Sequence, residues 1–220
     1  MSDTLWRHIV VEGGEASSYL QGQISQDVTD VPNWAALLEP NSTLISPMWV
    51  TRQGQELFVL SVPAGLLEDC VTRLQRFKLR SDCRLAEGRT NQDLPFSVDA
   101  ERIRGAMPWT QECAAELTPH AFGPTFVKKT ISFSKGCFTG QELVGRLDAR
   151  GGNSPWRLIS FTCTDPSSFS EWIQSVGPTG PQDVTSIFEE SEGVWRGLAI
   201  AHRSLDVTRS HQGATAEFVE

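Results

Sequence analysis

Ser134–Arg150 reads S-K-G-C-F-T-G-Q-E-L-V-G-R-L-D-A-R, a lysine, a cysteine and two glycines gathered just ahead of a helix signal. Thr139 and Glu142 fit the Thr-x-x-Glu capping box, which predicts a helix starting at Thr139. The first turn of such a helix has free backbone N–H groups and a partial positive charge. Cys137 lies two residues before that cap, and Lys135 two residues before Cys137. Both features stabilise a thiolate, which makes Cys137 a candidate reactive thiol with Lys135 beside it. Gly136 and Gly140 let the backbone bend closely around a ligand. The same spacing also fits an ordinary capped helix with Cys137 as a small buried side chain, and the residues alone leave both readings open.

Downstream, Gly151-Gly152-Asn153-Ser154-Pro155 is a turn-rich junction. Strand-like runs follow at Arg157–Thr164, Val184–Phe188, Trp195–His202 and Ala214–Val219, split by glycine and proline. They predict a small all-β, β-barrel-like C-terminal module over 154–220. Residues 1–153 then form an α+β region, open to division into two intertwined subdomains. In that region Trp6–Val11, Trp34–Glu39, Thr43–Thr51 and Glu56–Val62 read as antiparallel strands, and Glu15–Ile24 as a helix with Ser25–Asp30 as its polar exit. Pro63–Arg80 is the clearest helix. Leu66, Leu67, Cys70, Val71, Leu74 and Phe77 form one apolar stripe, with acids early and bases late. Pro63 suits its first turn. Ser81–Leu85 reads as a strand and Glu87–Pro95 as a loop. From Arg102 to Phe133 the connection is of mixed character.

The 220 residues, 39% hydrophobic, suffice for a sizeable core in one or two domains. No run approaches the ~20 apolar residues of a membrane span. The start, M-S-D-T-L-W-R-H, lacks the basic and apolar regions of a secretory signal. The five cysteines are odd in number and widely spaced with no C-x-x-C pair, so neither a disulfide framework nor a zinc site is encoded, which fits a reducing cytoplasm. His8, His120, His202 and His211 make no metal spacing. The net charge of −8 argues against broad electrostatic binding to nucleic acid. Yet Phe126–Arg157 carries six basic side chains against Glu142 and Asp148, a local island that fits either an anion site or a solvated basic face.

Lys135, Gly136, Cys137, Phe138, Gly140, Gln141, Glu142 and Arg146 match K-G-C-[FY]-x-G-Q-E-x-x-x-R, the signature of the YgfZ family, which the chain resembles. Tyr19–Val28 resembles that family's F-L-Q-G-Q-x-[ST]-x-D-V block. Arg102-Ile103 and Met107-Pro108, followed by Glu112 and Pro119, resemble its R-I-x-x-G-I-P block, and Val184-Thr185-Ser186 before Gly197-Leu198-Ala199 its C-terminal V-T-S and strand. Ala106 replaces the usual glycine, His120 a frequent glutamine and Phe138 a more frequent tyrosine. The chain is also shorter than typical members.

The resemblance implies a T-protein-like fold around a channel for tetrahydrofolate or a one-carbon derivative. It implies Lys135, Gly136, Gly140, Gln141, Glu142, Arg146 and Glu112 as cofactor-binding candidates, and Cys137 as the residue tied to activity, with no metal bound by the chain itself. A folate needs an acceptor for its pterin edge, cations for its glutamate tail and apolar walls. Glu142 or Glu112 could serve as the acceptor, Lys135, Arg146 and Arg150 as the cations, and Trp49, Phe133 and Phe138 as wall. The implied function is that of a cytoplasmic accessory protein for iron–sulfur cluster assembly or repair, with iron–sulfur proteins or their assembly machinery as partners. Where aminomethyltransferases of this superfamily carry an acidic pair, Ser46 and Pro47 stand here, and neither moves a proton near neutral pH. A folate-dependent one-carbon transferase and a tRNA-modification accessory without folate remain as alternatives.

Overall fold

A computed structural model describes residues 5–207 and 213–220. His211, and the first four residues of the start considered above for a signal, lie outside them. Two antiparallel sheets organise the chain. The first has the order β2-β3-β4-β1-β5, from β1 (Trp6–Glu12), β2 (Asn33–Leu38), β3 (Leu44–Arg52), β4 (Leu57–Pro63) and β5 (Arg84–Gly88). The second has the order β7-β8-β6-β9, from β6 (Trp156–Cys163), β7 (Asp183–Ser191), β8 (Val194–His202) and β9 (Thr215–Phe218). Alternation of apolar and polar positions pins the register, because a one-residue slip would turn a strand's core face to water. Trp6 thus pairs with Pro63 and Ile9 with Leu60.

The helices are α1 (Ala16–Gln23), α2 (Leu67–Arg76), α3 (Asp99–Arg104), α4 (Thr110–Cys113), α5 (Pro124–Thr130), α6 (Gln141–Asp148) and α7 (Pro166–Ser175). The sheets share a core. Leu158, Leu198 and Ile200 of the second sheet pack in the same apolar cluster as Ile9, Leu60 and Phe122. The opposite face of the second sheet packs Ile159 and Phe161 on Phe169 and Ile173 of α7.

Several expectations need correction. Pro63 ends β4 rather than opening a helix, a 3-10 turn over Ala64–Leu66 intervenes, and α2 stops at Arg76 instead of Arg80. The stop is local: Phe77 turns its N–H onto Leu74 and packs under the Arg73 guanidinium, 4.1 Å from ring centre to Cζ. The strand expected at Ser81–Leu85 lies at Arg84–Gly88, because Ser81–Cys83 form a turn that Glu15 Oε2 holds by accepting from Asp82 N–H. The C-terminal module is not all-β, since α7 sits between β6 and β7. Its signal was present in the sequence: Asp165 Oδ1 accepts from Ser167 and Ser168 N–H, and Pro166 takes the first helical position. Among the described residues the second sheet is open, with β7 and β9 at its edges.

Candidate functional site

The motif helix α6 starts one residue later than the capping pattern predicts. Gly140 is its N-cap, at φ +84°, with no side-chain cap. Thr139 instead bonds back to α1, its N–H donating to Gly22 O at 3.0 Å. Glu142 pairs with Arg146 at 2.6 Å on the exposed face of the helix. The left-handed conformation at Gly140 follows from crowding: a Cβ there would lie 2.6 Å from Glu39 O and 2.8 Å from Leu38 Cβ. Ser42 Oγ also donates to Gly140 O, at 2.5 Å, so this glycine fastens the motif to the β2–β3 hairpin. Gly136 is the opposite case, with open space where a side chain would go.

Lys135 is half-buried. Its Nζ donates to Ile24 O at 2.8 Å and Gln26 O at 3.0 Å and sits over the Phe138 ring. Burial pushes its ammonium down to about 8, with Asp27 pulling back. Two of its three protons are thus committed to the exit of α1, which leaves one for a ligand or solvent. Cys137 is exposed, whereas Cys70, Cys83, Cys113 and Cys163 are buried. Burial raises all four of those thiols, Cys70 up to about 12. Iodoacetamide at neutral pH is therefore expected to label one thiol in the native protein, and Cys137→Ala to abolish the label. Peptide mapping reads the outcome, and labelling spread over the other four cysteines contradicts the placement.

Lys135, Gly136, Cys137, Phe138, Gln141 and Glu142 line one cleft of about 320 Å³. The other candidates stand apart. Gly140 is turned into the sheet, and Arg146 is outside the cleft lining and paired with Glu142. Glu112 is fully buried. Its Oε1 accepts from Ser186 Oγ at 2.6 Å, and its Oε2 from Trp109 N–H at 2.8 Å and Arg102 Nη1 at 3.3 Å. Arg102, equally buried, donates further to Ser186 Oγ, Met107 O and Asp99 Oδ1. Glu112 thus joins α3, α4 and β7 and has no oxygen free for a ligand. Ser46 and Pro47 are buried in β3, and Ser46 Oγ donates to Pro47 O. Trp49 packs against Trp34 at 5.6 Å.

Sequence reasoning missed a larger cavity of about 750 Å³ between α5, the 151–154 junction and β6. Lys128, Arg157 and Arg203 reach it, and Val127 and Ile131 give it apolar wall. Phe133, half-exposed at 52%, borders both this cavity and the motif cleft. His120 lies in its wall, 6% exposed, and among the described residues neither ring nitrogen has a hydrogen-bond partner. The basic island was the available signal: it divides, with Lys128 and Arg157 at the large cavity and Lys135 at the cleft. Among the described residues no group of three or more His, Cys, Asp or Glu could hold a metal, and no helix is long and apolar enough to cross a membrane.

No protein-family model matches the chain. Over 195 residues it is 25% identical to an uncharacterized protein of Haemophilus influenzae, covering 70% of each chain. Over 163 residues it is 26% identical to the tRNA-modifying protein YgfZ of Vibrio atlanticus, covering 71% of this chain and 42% of that one. Its fold matches the glycine cleavage system aminomethyltransferase T of Bartonella henselae with a TM-score of 0.59 and 12% identity, over 98% of this chain and 83% of that one. The chain is similar in sequence to YgfZ and has a T-protein-like fold. Ala106, which stands where the resembled R-I-x-x-G-I-P block has glycine, has φ +48°. The backbone there keeps the left-handed conformation that glycine adopts without penalty.

Proposed function

We propose that this chain is a YgfZ-type, tetrahydrofolate-binding accessory protein that supports iron–sulfur cluster assembly or repair, with Cys137 as its working thiol. The observation that carries the reading is the placement of the one exposed cysteine. It lines a cleft whose rim residue, Phe133, also borders a cavity of about 750 Å³, within the ~300–1,000 Å³ that takes a cofactor-sized ligand. The residues there fit the chemistry of a folate: an aromatic rim, apolar wall, free cations and a buried imidazole without a partner. The likeness to a protein named tRNA-modifying YgfZ and to an aminomethyltransferase fold supports the same reading. An aminomethyl transfer is disfavoured, since the sealed Ser46–Pro47 pair supplies neither acid nor base.

Titration with tetrahydrofolate tests the ligand. Saturable binding in the micromolar range is expected for the wild type and for Cys137→Ala, with Lys135→Ala weaker because the motif loop loses its clasp on the α1 exit. Cys137→Ala is expected to leave iron–sulfur enzyme activity unrestored in a strain lacking the protein. Full restoration by that variant rejects the role of the thiol, and no saturable binding at high micromolar ligand rejects the folate.

A further inference from the structure

Asp148 is the last residue of α6, where the helix dipole disfavours a carboxylate. Its carboxylate is half-exposed and lies 3.8 Å from His120 Nε2, too far for a hydrogen bond. Burial holds the His120 imidazole below the usual histidine value, with Asp148 pulling back, so the ring is neutral at pH 7. A neutral imidazole offers one donor and one acceptor, and here both are unused inside a protein wall, where an unmet polar group is costly. At the same cavity, Lys128 and Arg203 are exposed cations. Arg157 differs, since its guanidinium already donates to Val219 O and stacks on Phe218. The cavity therefore has an acid–imidazole pair in one wall and two cations at its rim, with apolar surface from Val127, Ile131 and Phe133 between.

We propose that this cavity binds an amphipathic heterocyclic acid end-on, with His120 and Asp148 reading the N–H edge of the heterocycle and Lys128 with Arg203 holding its carboxylate tail. The inference rests on the folate reading and deepens it: Asp148, rather than Glu112 or Glu142, is the carboxylate that accepts from the pterin edge. A ring amine and amide N–H side by side suit a carboxylate acceptor, and a flexible dicarboxylate tail suits two separate cations. The middle of the ligand then crosses Phe133, on whose other side the cleft of Cys137 opens.

The experiment is calorimetric titration of the full chain with tetrahydrofolate, tetrahydropterin and p-aminobenzoylglutamate. Asp148→Asn and the pair Lys128→Glu/Arg203→Glu replace exposed side chains, and thermal melting confirms that they fold. Asp148→Asn is expected to weaken tetrahydrofolate and tetrahydropterin by roughly tenfold or more while sparing p-aminobenzoylglutamate. The double charge reversal is expected to do the reverse, weakening tetrahydrofolate and p-aminobenzoylglutamate and sparing tetrahydropterin. If the wild type binds tetrahydrofolate and both variants bind it equally well, this placement is overturned while the folate reading stands. If only p-aminobenzoylglutamate binds, and charge reversal abolishes it, the tail site stands and the folate reading falls. Binding of none of the three overturns both.

Discussion

Replacing Glu112 with alanine is expected to destabilise the protein by about 3–5 kcal/mol, the cost of breaking a buried ion pair from one side. The carboxylate is fully buried and meets Arg102, Ser186 and the Trp109 N–H. Its removal takes one of two carboxylate partners from a guanidinium that is 1% exposed, leaving Asp99, and strands the buried Trp109 N–H and Ser186 Oγ. For a chain of this length, such a loss moves the melting temperature by on the order of 10 °C. Ser186→Ala is expected to cost less, about 1–3 kcal/mol, because Arg102 and Glu112 stay in contact without it. The two substitutions share a network, so the double variant is expected to lose less than the sum of the singles. Urea unfolding of the four proteins measures this, and strictly additive losses would show that the three side chains do not act together. The effect should reach beyond α4, because Ser186 lies on β7 and the network joins the second sheet to α3 and α4.

Gly140→Ala is expected to be nearly as damaging, at about 2–5 kcal/mol. A left-handed conformation costs a non-glycine residue ~1–2 kcal/mol, and overpacking adds about 1–3 kcal/mol. The obstruction is backbone: Glu39 O at 2.6 Å cannot swing aside as a side chain end could. The hairpin must shift, and the Ser42 bond to Gly140 O goes with it. Gly136→Ala is the internal control, expected to lie within about 0.5 kcal/mol of wild type, since nothing lies within 4 Å of its added carbon. Denaturant midpoints of the pair decide the matter. Equal stability of both variants would mean that the two motif glycines serve one common purpose, contrary to the geometry.

Motif residues that sit together in the sequence thus divide into different tasks in space. Cys137 and Lys135 were readable as neighbours, because a loop of three residues cannot separate them far, but whether Cys137 is exposed or buried was left open. The roles of Glu112, Arg102 and Ser186 were not readable, since the contact joins positions 74 and 84 residues apart. The resemblance made Glu112 a candidate pterin acceptor, and nothing near it in the sequence announces its buried partners. The capping box was misread for a similar reason: Thr139 has the right chemistry for a cap, but a closer competitor, Gly22 O, takes its N–H. Helix α7 was overlooked although Asp165-Pro166 announced it, because the strands on either side drew the segment into an all-β reading.

The chain alone determined the alternation that makes the two sheets, the amphipathic stripe of α2 and the motif that carries Cys137. These are carried by local periodicity and by residue types at fixed spacing, which no folding event can change. Tertiary structure alone decided that Glu112 is a structural tie, that Gly140 is a fastening and Gly136 a free bend, and that His120 and Asp148 face each other at a cavity with Lys128 and Arg203. Those facts depend on which distant backbone and side chains desolvate one another, and burial sets the cost of a polar group that lacks a partner.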